Sequence, residues 1–289
     1  MNKTTNGWFS GMLGVLVFSG SLPATRLAVM DFHPLFLTVC RAAIAGVLAG
    51  VLLLIFKQQR PIKSDIVPLL VIALCVVVGF PLLTALALQY VTASHAIIYV
   101  GLLPLATAIF GVWRGGERPR PIFWILSVLG SSLVVGFALT NGAASSLIGD
   151  GLMLASIIAC GYGYAEGARL SRRLGGWQVI SWALILSLPV MALLSFYYRP
   201  DSWSSTSVTS LLSLAYVSLF SMLIGFVFWY RGLALGGIAA VGQLQLLQPF
   251  FGLVLSALLL HETIGWPIFI VNMGVVLCVA LARRFAAKH

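Results

Sequence analysis

The side chains of this chain that can do chemistry are few, and most stand inside long apolar stretches. Arg41 lies early in the stretch 35–56. A charge facing lipid costs about 3 kcal/mol or more, so such a residue faces protein or water. Its two readings are an anion anchor or gate element, and a structural cation that snorkels or caps carbonyls near the outer surface. Glu166 is followed by Arg169 and Arg173, three and seven residues on. That spacing gives either an ion pair on one helix face or a carboxylate that couples proton movement to transport. His95 titrates near neutral pH and reads as a second coupling candidate or as a solvated turn residue. Gln243, Gln245 and Gln248 cluster beside Pro249. Uncharged amides at such depth hydrogen-bond a polar substrate or a neighbouring helix.

Other candidates are less polar. Pro104 and Pro249 each free a carbonyl one turn earlier, which serves as a ligand, a hinge or simple curvature. Tyr99, Tyr162, Tyr164, Trp229 and Tyr230 would enclose an apolar substrate if they face a cavity; otherwise they pack or form an interface belt. Glu117 and Glu262 follow apolar stretches and read as structural or gating groups. The candidate cavity set is thus Tyr99, Tyr162, Trp229, Gln245, Gln248 and Arg41. Glu166 and His95 are the coupling candidates, and Pro104, Pro249, Glu117 and Glu262 the hinge or gate candidates.

These groups do not converge on an enzyme. His33, His95, His261 and His289 are far apart, and the seven carboxylates are scattered, so no acid, base and nucleophile come together. Direct use of ATP would need a Walker-type phosphate loop, and the sequence has none. Cys40, Cys75, Cys160 and Cys278 lie singly in apolar stretches and read as small buried hydrophobes, not as a metal or disulfide set. Neither a cofactor nor a metal is expected. A membrane-embedded enzyme and a channel are the alternatives to a carrier; the channel would call for a charge ring or a continuous polar pore.

The elements that position these residues follow from composition. The chain has 289 residues, 60% hydrophobic and only 8% charged, with a mean hydropathy of +1.05. A soluble surface needs far more charge. The apolar residues form blocks of about 20, the length that crosses a bilayer as a helix. The expected spans are 8–29, 35–56, 66–90, 94–113, 121–139, 149–171, 177–197, 208–234, 239–260 and 266–284, the first read as a retained helix in place of a cleaved signal. The break at Gly236-Gly237 is the softest. The net charge of +10 is spread over short loops, which argues for orientation in a membrane and against nucleic acid. With both termini in the cytoplasm, Lys57, Arg60, Lys63, Arg114, Arg118, Arg172, Arg173, Arg283 and Arg284 fall on the cytoplasmic side. The other side keeps little beyond Arg26 and Arg199.

The chain also repeats. A shift of 145 residues places Pro104 on Pro249 and Glu117 on Glu262. An odd unit of five spans must enter the bilayer from opposite sides in its two copies, so the expectation is an all-α polytopic membrane protein of about ten transmembrane helices in two inverted five-helix repeats, 1–140 and 149–289. Secondary transporters recurrently use this plan, with the substrate site near the midplane.

These features resemble the drug/metabolite transporter superfamily, of the type with two EamA domains. The resemblance rests on Gly225-Phe226-Val227-Phe228-Trp229-Tyr230-Arg231-Gly232, then Gln248-Pro249 and His261-Glu262. In the first half it rests on Gly20-Ser21-Leu22-Pro23, Arg41, Pro104 and Gly116-Glu117-Arg118. Two positions depart from the family: Phe18 stands where a tryptophan is frequent, and Gln248 where a glutamate is frequent, which removes one proton carrier. The resemblance implies export of a small-molecule substrate, such as amino acids, related metabolites or toxic compounds, across a bacterial-type inner membrane by alternating access. Proton coupling, and the choice between monomer and homodimer, stay open.

Overall fold

The computed structural model describes residues 3–91, 96, 99–140, 146–200, 202–203, 206–260 and 266–286, and every regular element among them is helical. The helices are α1 (Lys3–Ala28), α2 (Pro34–Ile55), α3 (Lys63–Ala87), α4 (Leu103–Gly115), α5 (Pro121–Thr140), α6 (Leu147–Leu174), α7 (Gly176–Tyr197), α8 (Val208–Gly236), α9 (238–260) and α10 (Trp266–Phe285). Among the described residues α1, α2, α3, α6, α7 and α8 are each long and apolar enough to cross a membrane. Large apolar side chains such as Leu54, Val67, Leu74, Ile125, Leu193 and Ile270 face outward. In water that surface would aggregate; in lipid it is the solvated face.

Local chemistry sets the ends. His33 caps α2 by accepting the Leu35 N–H at 3.3 Å, and Pro34 opens the helix, where its missing N–H costs nothing. The soft break expected at Gly236-Gly237 is sharp: Gly237 has φ of 95°, a backbone that only glycine adopts without strain. The fourth helix begins at Leu103, later than expected, and much of 92–98 lies outside the described residues.

Among the described residues α1 is interrupted by a turn at Gly20, and α3, α8 and α9 depart from regular α geometry. α3 and α8 each contain a π-helical stretch, Ala73–Gly79 and Val217–Ile224, and α9 contains a 3-10 stretch, Gln243–Leu247. Helical elements begin at Lys63 and Val208, Phe80 and Gly225, and Leu103 and Gln248. The members of each pair are 145 residues apart, the same offset that relates the prolines and glutamates.

Packing follows small residues. α1 lies against α8, α2 against α7, α4 and α3 against α6, and α5 against α10. Gly7 and Gly11 of α1 face Gly232 and Gly236 of α8. A Cβ on Gly232 would sit 2.6 Å from the Gly11 backbone nitrogen, and one on Gly7 2.6 Å from that of Gly236. Each helix thus presents a glycine pair spaced by four, which lets two backbones touch where lipid provides no hydrophobic drive.

The two ends of the bundle differ. At one end Gln58 meets Gln178 at 3.1 Å, Arg173 meets Asp65, Arg172 meets Glu117 at 3.2 Å, and the Arg120 N–H reaches the Phe285 carbonyl at 3.1 Å. At the other end Arg26 donates to the Leu88 carbonyl at 2.7 Å, and Ser207 Oγ donates to Asp31 at 2.7 Å. Gly7, near the start of α1, touches the end of α8, and the end of α6 meets the start of α3.

Candidate functional site

A cavity of about 30 Å³ lies in the middle of the bundle. α1 supplies Phe18, Ser21, Leu22 and Thr25, and α2 supplies Arg41. α3 adds Val76, Phe80, Pro81 and Thr84, and α4 adds Leu103. Tyr164 comes from α6, Ser221, Met222 and Phe226 from α8, and Gln248 from α9. Both π-helical stretches reach the wall, through Val76 and through Ser221 and Met222. Such stretches shift side chains around the helix and recur at functional sites. The volume admits a water or two, far less than the several hundred Å³ of a metabolite pocket. In this conformation the centre would have to widen to take a metabolite.

Arg41 is the charged group of that wall. It is 6% exposed, so it does not reach the outer surface as a snorkelling cation would. Its Nη2 donates to Ser221 Oγ at 3.1 Å, and Ser21 Oγ donates to the same oxygen at 2.7 Å. Its Nε is buried without an acceptor. Among the described residues the ion pairs of the carboxylates all go to other arginines.

The rest of the wall is aromatic and weakly polar. Phe18 and Phe226 have ring centroids 4.9 Å apart, and Tyr164 lies 5.9 Å from Phe226. Gln248 Nε2 donates to the Phe18 carbonyl at 3.4 Å, while its Oε1 is buried without a partner. Gln245 stands one layer behind, donating to the Tyr164 hydroxyl at 3.3 Å. Trp229 is in that layer too, 5.4 Å from Tyr164 and fully buried. Gln243 is fully buried with neither amide atom bonded.

Other predicted residues fall elsewhere. Tyr162 lies against Phe110 and Trp113 at 5.3 and 5.7 Å, with the Arg114 guanidinium 5.9 Å from its ring. Tyr99 is half-buried and does not line the cavity. Pro104 occupies the first turn of α4, where proline starts a helix, whereas Pro249 lies inside α9, directly after the 3-10 stretch Gln243–Leu247. His95 and Glu262 lie outside the described residues.

The two remaining carboxylates form a charged layer at one end of the bundle. Glu166 is buried and accepts from Arg114 Nε of α4 at 2.8 Å and from Arg169 at 2.5 Å. Glu117 accepts from the backbone N–H groups of Ile238 and Ala239 at 2.6 and 2.7 Å, and from Arg172 at 3.2 Å. Asp65 of α3 pairs with Arg173. Three ion pairs thus tie the last turns of α6 to the first half of the chain. Local spacing identified only the bond between Glu166 and Arg169.

Sequence reasoning missed Ser21, Thr25, Phe80, Thr84, Ser221 and Met222 as wall residues. They are ordinary in apolar helices, and no spacing marks them.

Comparison with known proteins agrees with this architecture. Two stretches, 5–140 and 147–284, each match the EamA-like transporter family. The chain is 74% identical over 286 residues to an uncharacterized transporter, YdeK, of Bacillus subtilis (strain 168), covering 99% of this chain and all of that one. It is 24% identical over 285 residues to an uncharacterized transporter of Archaeoglobus fulgidus, covering 96% of each. A solved crystal structure superposes with a TM-score of 0.79 at 18% identity, covering 96% of this chain and 97% of the other; that likeness concerns the fold.

Proposed function

Because this chain belongs to the EamA-like transporter family, a multi-pass membrane protein of two EamA-like domains, we propose that it exports small metabolites across the inner, cytoplasmic membrane as a secondary transporter. In this reading α4, α5, α9 and α10 cross the bilayer with the six longer helices, giving ten spans. The two five-helix units are inverted and rock about the central cavity.

One observation carries the reading: a central cavity is walled by helices from both units, and ion pairs between the units seal one end of the bundle. A carrier needs a central site that both halves share and a seal that can alternate between sides. The sealed end is cytoplasmic, because it gathers Arg114, Arg169, Arg172 and Arg173, and basic residues are retained on that side. Both termini are then cytoplasmic. The inversion is supported by the pairing of Asp65 with Arg173, which brings the start of α3 to the end of α6, so that the third span of one unit and the first of the other run in opposite directions.

Counterflow in liposomes tests it. Purified protein is reconstituted, loaded with unlabelled compound and supplied with trace label, across a panel of amino acids, organic acids and other metabolites. Transient accumulation of label is expected for at least one class. Folded, inserted protein that exchanges nothing in the panel overturns the carrier reading.

A further inference from the structure

Within that carrier reading, we propose that the substrate is a small organic monocarboxylate without an amino group, whose carboxylate is held by Arg41 and Ser221 and whose short apolar body lies against Phe18, Phe226 and Tyr164.

The charge of the wall comes first. Among the described residues Arg41 is the sole charged side chain lining the cavity. It is buried, bonded to one neutral hydroxyl, and leaves Nε without an acceptor. Burying a cation without a counter-ion is costly, and an anion entering the cavity offsets that cost. A guanidinium presents donors in a planar fork that matches a carboxylate. Ser221 accepts from both Arg41 and Ser21, so its own proton is available to a second acceptor. Thr84, also on the wall, has a buried hydroxyl oxygen without a partner.

The same wall selects among anions. One cation matches one negative charge, so a dianion such as a phosphate monoester would leave a charge unmet. An α-amino acid places its ammonium beside its carboxylate, hence beside Arg41. Like charges then repel, and no described carboxylate lines the cavity to offset the second cation. The aromatic faces of Phe18, Phe226 and Tyr164 favour an apolar body. A small cavity that must widen favours a short one.

The test uses 4-methylpentanoate, its uncharged amide 4-methylpentanamide, and leucine, which is the same acid carrying an α-ammonium. Binding to the purified full-length protein is read as a shift in unfolding temperature, and exchange as counterflow. The carboxylate is expected to bind and exchange at least tenfold better than either relative. Arg41→Gln removes an unpaired buried charge, so it is expected to fold and to lose the preference for acid over amide. Should it fail to fold, Ser221→Ala and Arg41→Lys carry the test. Ser221→Ala weakens the carboxylate several-fold and leaves the amide unchanged, and Arg41→Lys keeps the preference at lower affinity.

Leucine exchanging as well as the acid overturns the exclusion of an ammonium, and an inert acid or an unchanged preference in Arg41→Gln overturns the anion site. The first of these results keeps the carrier reading. Binding of the acid without exchange of any compound keeps the site and overturns the carrier.

Discussion

The carboxylate of Glu117, just beyond the end of α4, holds Ile238, the first residue of α9, through its backbone N–H at 2.6 Å. It also accepts from the Ala239 N–H at 2.7 Å and from Arg172 at 3.2 Å. The negative charge sits where a helix N-terminus carries partial positive charge and leaves N–H groups unpaired. One buried residue therefore joins a loop of the first unit to two helices of the second.

Glu117→Ala leaves two buried N–H groups and a guanidinium without their acceptor. Hydrogen bonds to charged groups contribute about 1.5–3 kcal/mol each. A loss of about 3 kcal/mol is expected, read as earlier thermal unfolding in detergent. Glu117→Gln keeps one acceptor oxygen and should lose less. Equal stability of all three proteins contradicts the capping role.

Breaking the charged layer should open the cavity toward the cytoplasm. With the native cysteines removed and a reporter at Thr84→Cys, Arg173→Gln combined with Glu166→Gln is expected to raise maleimide labelling about tenfold in inside-out vesicles. In each pair the carboxylate is buried while its arginine stays a third to a half exposed, so each bond contributes modestly and the layer holds as a set. Unchanged labelling would show that the ion pairs do not close that side.

Gly232→Ala puts a methyl group against the Gly11 backbone, which cannot move aside as a side chain would. Overpacking of this sort costs about 1–3 kcal/mol. Folded yield should fall, and Gly11→Ala should do the same less severely, since its Cβ meets side-chain atoms, Val241 Cγ1 at 2.5 Å first.

Gln245→Leu removes the donor to the Tyr164 hydroxyl. A neutral bond of this sort contributes about 1 kcal/mol, or about fivefold in affinity. Exchange should weaken by about that factor without loss of folded protein. Unchanged kinetics would show that the layer behind Tyr164 does not tune the wall.

Acid should loosen the opposite end of the bundle. Asp31 accepts from the Ser207 hydroxyl and backbone N–H, bonds that hold its carboxyl below the ordinary value of 3.8, with a smaller contribution from Ser210. A lowered value in the folded state means stability present above 3.8 and lost as pH falls through the folded value. Asp31→Asn should flatten the acid limb of a stability-against-pH curve. An identical acid limb in that variant would remove the contact from the account.

The sequence by itself determined the solvent, the helical class and the duplication. Blocks of apolar residues leave lipid as the only medium in which the chain is soluble, and the offset of Pro104 from Pro249 recurs in the starts of three pairs of helical elements. Arg41 was legible too, because a guanidinium in an apolar block needs a reason. Tertiary structure decided which polar groups meet. Gln248 reached the cavity wall while Gln245, three residues away, went behind Tyr164, a division that their spacing alone does not announce. Ser221 reached the wall on a π-helical stretch that nothing in its neighbours announces. The partners of Glu117 and Glu166 also come from helices distant in sequence, Ile238 from α9 and Arg114 from α4. Local spacing fixes which face of a helix a residue shares, whereas the depth and rotation at which helices cross fix what that face meets.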